Sequence, residues 1–154
     1  FERDPEREPL LPIDASDGGC SCTPACKPEK VFSGQAIAVS IDSADVISTD
    51  EQEIQAIFDR VAIEQVLILG VHLNMCILGR PFGIRRLLEL GQKVVLVRDL
   101  TDVIYNPNSY PFVTIDRACH LVTIHVETHL CPSVSSADIL GTMKVEHPGK
   151  GPPC

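Results

Sequence analysis

Residues 66–71 read Val66-Leu67-Ile68-Leu69-Gly70-Val71, an apolar run with no polar residue alternating through it. A strand with one wet face alternates and a strand buried on both faces does not, so the run predicts a central strand of a parallel sheet. Upstream, Ser48, Thr49 and Asp50 offer N-cap oxygens. Ile54, Ile57, Phe58 and Val61 then recur at i, i+3, i+4 and i+7, the spacing of one helical face, ending near Ala62. Downstream, Leu78, Phe82, Ile84, Leu87 and Leu88 return at roughly helical spacing, with Gly91 where a C-cap glycine belongs. Lys93 to Arg98 repeats the buried-strand signature through Val94, Val95, Leu96 and Val97 and completes a strand–helix–strand unit with a right-handed crossover. The fold class is therefore α/β, a mostly parallel sheet with helices expected on both faces.

Further along, Ile115, Ala118, Cys119, Val122 and Val126 keep near-helical spacing within Val113 to Leu130, which predicts a helix that Pro132 must end. Ser133 to Ser136 follow as a short final strand. Residues 1–35 read as an irregular segment, because Pro5, Pro9, Pro12, Gly18, Gly19, Pro24 and Pro28 punctuate it too often for a regular element. The chain divides into that Cys-, Pro- and Gly-rich segment, a core over 36–142, and a flexible tail over 143–154.

With 154 residues, 44% hydrophobic and 22% charged, the composition fits one globular domain and excludes wholesale disorder. The balance of 13 Lys plus Arg against 21 Asp plus Glu gives a formal charge of -8, which repels phosphate backbones. No nucleic-acid partner is expected, and a small-molecule substrate fits better. The apolar runs fall far short of the roughly 20 residues of a membrane helix, so no membrane partner is expected either. The sequence opens on Phe1 followed by charged residues, with no apolar signal core, which reads as a processed chain or an excerpt of a longer protein.

Ligand sites of parallel sheets lie beyond the carboxyl ends of the strands. After the first strand comes His72-Leu73-Asn74-Met75-Cys76, which puts Cys76 at the start of a helix, where open N–H groups and the positive dipole end stabilise an anionic sulfur. The same N–H groups suit the oxyanion formed when a thiolate adds to a carbonyl. The competing reading of Cys76 is a small apolar filler. His72 offers an acid, a base or a metal ligand, against a hydrogen-bonded filler. Asp99 and Asp102, after the second strand, orient a substrate or cap a loop. Arg80 and Arg85 read as solvent or partner contacts. Cys20, Cys22 and Cys26 lack a closely spaced fourth zinc ligand, and the rival reading is a disulfide within the cluster or to Cys119, Cys131 or Cys154. Seven cysteines are an odd number, and Cys76 is the natural free thiol. Among His120, His125 and His129 only the last two stand at i, i+4, and without a third ligand they read as surface residues. No metal and no cofactor are expected.

The stretch Gly-Val-His-Leu-Asn-Met-Cys-Ile-Leu-Gly-Arg-Pro-Phe-Gly-Ile-Arg over 70–85, followed by Val-Val-Leu-Val-Arg-Asp-Leu-Thr-Asp over 94–102, resembles the isochorismatase-like cysteine hydrolase superfamily, the nicotinamidase-related group, and within it a bacterial subgroup. The resemblance extends to Asp17–Cys22 and to Cys131-Pro132. It implies a three-layer α/β/α sandwich of Rossmann-like type, Cys76 as nucleophile, a cis peptide between Val71 and His72, and the Met75 and Cys76 amides as oxyanion donors. His72, Asn74, Asp99 and Asp102 become candidate substrate contacts. The implied reaction is hydrolysis of a C–N bond in a small amide through a thioester, in a homo-oligomer. The family aspartate ends a first strand that has no counterpart before residue 35, since Asp4, Asp14 and Asp17 lie in proline- or glycine-rich context. Gly34 stands where the family has its lysine, with Lys30 nearby but out of register. The resemblance thus implies an N-terminally incomplete fold with an unpaired sheet edge, keeping the nucleophile without its base. The alternatives are a non-catalytic binding or assembly module and isochorismate-type vinyl-ether hydrolysis, which can dispense with the cysteine. The family default is cytoplasmic, or extracytoplasmic if Cys20, Cys22 and Cys26 form disulfides.

Overall fold

The computed structural model describes residues 2–24 and 39–142; the expectations placed on Cys26, Lys30, Gly34, Cys154 and the tail lie outside them. Asp50 starts α1 (Glu51–Val61) by accepting the Glu53 N–H at 2.9 Å, which satisfies one of the donors that a helix start leaves open. Ala62 ends it in the left-handed region, at φ 55°. There follow β1 (Gln65–Val71), a π-helical turn at Leu73–Ile77, α2 (Ile84–Glu89), β2 (Lys93–Asp102), α3 (Ile115–His129), β3 (Ser133–Val134) and α4 (Ser136–Thr142). The strands form an open parallel sheet in the order β1-β2-β3, and the protein is mixed α/β. Among the described residues no helix is long and apolar enough to cross a membrane.

The continuous helix expected from Leu78 to Leu88 is instead broken. Pro81 has no N–H to donate and disfavours helical backbone in the residue before it. Gly83 then passes so close to the preceding turn that a Cβ would stand 2.8 Å from the Ile77 carbonyl oxygen. Gly91, at φ 78°, ends α2 as its position predicts, letting the Gln92 N–H reach the Leu87 carbonyl at 2.9 Å. β2 also runs past Arg98: Ile68 pairs with Leu96 but Gly70 pairs with Thr101. The intervening bulge is closed by the Thr101 hydroxyl, which donates to the Val97 carbonyl at 2.9 Å.

One face of the sheet carries the core. Val94 and Leu96 of β2 meet Ile84 and Leu87 of α2 and Ala118, Val122 and Val126 of α3, the last three spaced one helical turn apart. The other face is covered at β2, where Val97 is 1% exposed. A strand order that never reverses, with right-handed crossovers, puts both connecting helices on one side. The opposite face of β1 leaves Leu67, Leu69 and Val71 47%, 50% and 61% exposed, and among the described residues β1 pairs with β2 alone.

The irregular N-terminal segment joins this core through Leu11 and Ile13. It is also pinned by Glu8, of which 2% is exposed. Arg85 of α2 donates two hydrogen bonds to the Glu8 carboxylate, Nε to Oε2 and Nη2 to Oε1, both at 2.8 Å, and Nε2 of His125 on α3 lies 3.1 Å from Oε1. Arg85 and His125 are therefore not the solvent or surface residues that their sequence positions imply; a buried carboxylate recruits both. Burial alone would raise the Glu8 carboxyl, but the Arg85 fork and His125 more than offset it and hold it below 4.5. Burial pushes His125 below 6.5, and Glu8 compensates only in part. Both groups bind a proton more readily in the unfolded chain, so the stability they give is complete above 6.5 and lost on acidification, through His125 first and through Glu8 below 4.5. Urea titrations over this range should show the unfolding free energy falling with pH. Glu8→Ala, which takes the buried carboxylate from Arg85 and His125, should lower it by about 3–5 kcal/mol near neutrality, and replacing Glu8 and Arg85 together by Leu and Met should cost less.

Candidate functional site

β1 and β2 end side by side, with Gly70 opposite Thr101 and Val71 opposite Asp102. The Val71–His72 peptide is cis. The His72 carbonyl then accepts the Met75 N–H at 3.1 Å and the Ile77 N–H at 3.2 Å, and the second of these bonds defines the π-helical turn. Cys76 lies in this turn, half-buried. Leu73 and Leu78, both 0% exposed, anchor the turn in the core at either end. Asn74 clamps it sideways: its Nδ2 donates to the Ile104 carbonyl at 2.9 Å and its Oδ1 accepts the Ile104 N–H at 3.0 Å.

Both polar atoms of Asn74 thus bond the backbone after β2. Asp99 lies within β2 rather than beyond it, and its carboxylate accepts the Ser136 N–H at 2.7 Å and the Ser136 hydroxyl, fixing the start of α4. Those bonds hold Asp99 below the usual carboxylate range. Asp102 is exposed and accepts the Val103 N–H at 2.7 Å on one oxygen. His72 is half-buried, next to the end of β1. The structure therefore brings His72, Cys76 and Asp102 to one end of the sheet and assigns Asn74 and Asp99 to structural bonds. The Met75 N–H is engaged by the His72 carbonyl. Arg80 is exposed.

A second thiol stands nearby. Cys119 on α3 donates to the Thr101 carbonyl at 3.5 Å. Burial pushes this thiol up, and the Asp102 charge adds to the effect. Burial pushes Cys131 up to about 11. Cys76, Cys119 and Cys131 are free thiols, so a disulfide from the N-terminal cluster to Cys119 or Cys131 is not formed. Among the described residues no group of three or more His, Cys, Asp or Glu side chains gathers as a metal site. Asp17, which the sequence placed only in a glycine-rich context, binds the loop after β2: Asn106 Nδ2 and the Ser109 hydroxyl each donate to its Oδ2 at 2.8 Å. A Gly-rich turn following an Asp was the signal available, and it gave no indication of the partner.

The fold and site define a mixed α/β protein with a half-buried thiol at the carboxyl end of a three-stranded parallel sheet. No family model, curated protein or solved structure matches the chain.

Removing the Asn74 clamp leaves the Ile104 N–H and carbonyl without these partners. Asn74→Ala should cost about 1–3 kcal/mol in chemical denaturation and speed amide exchange at Ile104. In native protein near neutral pH, iodoacetamide should leave Cys131 unmodified and reach Cys119 slowly, as peptide mass mapping would show.

Proposed function

We propose that this chain carries the nucleophile of a cysteine-dependent hydrolase acting on the C–N bond of a small amide. The observation that supports it is the seating of Cys76: half-buried, on an anchored turn just after β1, whose last residue Val71 pairs with Asp102. The Cys76 sulfur adds as thiolate to the amide carbonyl carbon, and the carbonyl electron pair moves to oxygen. The oxyanion is received by N–H groups of the turn, and the Met75 N–H must exchange the His72 carbonyl for it. The carbonyl re-forms as the amine leaves with a proton, and water cleaves the resulting thioester to a carboxylic acid and the thiol. Asp102 is the carboxylate placed to carry that proton, with His72 as the neighbouring titratable group. In this reading the sheet belongs to a three-layer α/β/α sandwich of the isochorismatase-like type. Leu67, Leu69 and Val71 are then the seat of its second helical layer.

A specific observation favours a second reading, that of a non-catalytic binding module. Among the described residues no side chain hydrogen-bonds the Cys76 sulfur, and Asn74 and Asp99 are committed elsewhere. Ammonia release from a panel of small primary amides separates the two. The hydrolase reading expects turnover that Cys76→Ala reduces at least about 10³-fold and Asp102→Asn about 10²–10⁴-fold, with Cys76 the first thiol alkylated. Turnover unchanged in Cys76→Ala, or none with any amide, overturns it.

A further inference from the structure

The N-terminal segment turns sharply at residues 15–19, where the Gly18 N–H donates to the Ala15 carbonyl at 3.0 Å. Gly18 stands at φ 70° and Gly19 at φ 72°, both in the left-handed region. Asp17 sets the turn with both of its oxygens. Its Oδ1 accepts the Gly19 N–H at 2.8 Å, while its Oδ2 takes the bonds from Asn106 and Ser109 and so fixes the turn on the loop after β2. Gly19 is thereby brought against the backbone just past the strand. A Cβ on Gly19 would stand 2.5 Å from Ile104 Cγ1, 3.0 Å from the Tyr105 nitrogen and 3.3 Å from the Ile104 carbonyl carbon. Only a hydrogen fits there, and the positive φ disfavours a side chain independently.

The peptide that Gly19 touches is the one that Asn74 grips. Its carbonyl, from Ile104, accepts Asn74 Nδ2 at 2.9 Å, and the Ile104 N–H donates to Asn74 Oδ1 at 3.0 Å. Its nitrogen belongs to Tyr105, which is 3% exposed and tied into the loop. The Tyr105 hydroxyl donates to the Ser109 carbonyl at 2.6 Å and accepts the N–H groups of Phe112 and Val113 at 3.1 and 3.3 Å. The peptide joining Ile104 to Tyr105 is thus held twice, by the turn that carries Cys76 and by the N-terminal segment. Leu73 and Leu78 root the Cys76 turn in the core, and Asn74 alone refers its position to Ile104. Gly19 in turn sets how closely the N-terminal segment can press on Ile104. Such a contiguous run of close contacts and hydrogen bonds is a physical route for coupling.

We propose that Gly19 is a positioning residue for Cys76, acting through the Ile104–Tyr105 peptide and the Asn74 clamp on the turn that presents the thiol. Its bearing on turnover rests on the hydrolase reading, and its bearing on the turn does not. Amide hydrogen exchange of the full native chain tests the second. Gly19→Ala puts a methyl where Ile104 and Tyr105 stand. It should speed exchange of the Met75 and Ile77 amides at least about 10-fold and leave the α3 amides of Val122 and Val126 unchanged. Asp17→Ala, which loosens the turn without adding bulk, should act in the same direction by at least about 3-fold. In an Asn74→Ala background, Gly19→Ala should add less than about twofold at Met75 and Ile77, because the link it acts through is already cut. Faster exchange at Ile104 with Met75 and Ile77 unmoved overturns the proposal. So do effects that multiply in the double variant, or an equal rise throughout α3. In amide hydrolysis, Gly19→Ala should lower kcat about 10–10²-fold with KM within about twofold of the wild type, since misplacing the thiol spares binding. A kcat that does not move while Met75 and Ile77 exchange faster overturns the catalytic half of the proposal. A wild type without turnover overturns the hydrolase reading instead, and the exchange pattern then decides the positioning role alone.

Discussion

Only 2% of Glu8 is left to water, and a carboxylate so buried persists only where its charge is answered. Arg85 and His125 answer it from α2 and α3, the two helices that cover the core face of the sheet. One side chain of a segment without regular structure therefore fixes the spacing of both crossover helices over Val94 and Leu96. Asp17 fastens the same segment farther along, on Asn106 and Ser109. The two anchors differ in kind. The Glu8 carboxylate is almost wholly buried, so losing a partner there is costly. Asp17 is exposed, and its bonds give register more than stability.

The bulge in β2 has a comparable reach at the other end of the molecule. Had the pairing of Ile68 with Leu96 continued unbroken, Val71 would have met Asp99; the bulge puts Asp102 there instead. Asp99 is thereby displaced from the sheet end and meets Ser136, where it fixes the start of α4. The same shift aligns Ile104 with the π-helical turn, so that Asn74 can clamp it through both amide atoms. Which aspartate stands opposite Val71 at the sheet end is thus decided by a backbone irregularity.

Features that depend on local chemistry were legible in the sequence. Asp50 caps α1, Gly91 ends α2, and the apolar phase of Ala118, Val122 and Val126 points inward. The two long strands and the short third one also stand where their apolar runs and Pro132 place them. What escaped depends on distance along the chain or on counting layers. Glu8 is 77 residues from Arg85 and 117 from His125, and no spacing rule links residues so far apart. The run Val66–Val71 is equally apolar whether its second face is covered or bare, so it could not reveal that Leu67, Leu69 and Val71 are exposed. Pro81 was visible, but the apolar residues on either side of it, Leu78 and Ile84, are both core residues, and their spacing masked the break between two short helical pieces.

The candidate site narrows for a related reason. Polar residues at strand ends serve either the backbone or a ligand, and sequence position does not say which. In this fold Asn74 and Asp99 serve the backbone, and Cys119 is kept in its thiol form by burial and by the charge of Asp102. Cys119 is committed to the Thr101 carbonyl, whereas Cys76 stands on a turn held by Leu73, Leu78 and Asn74.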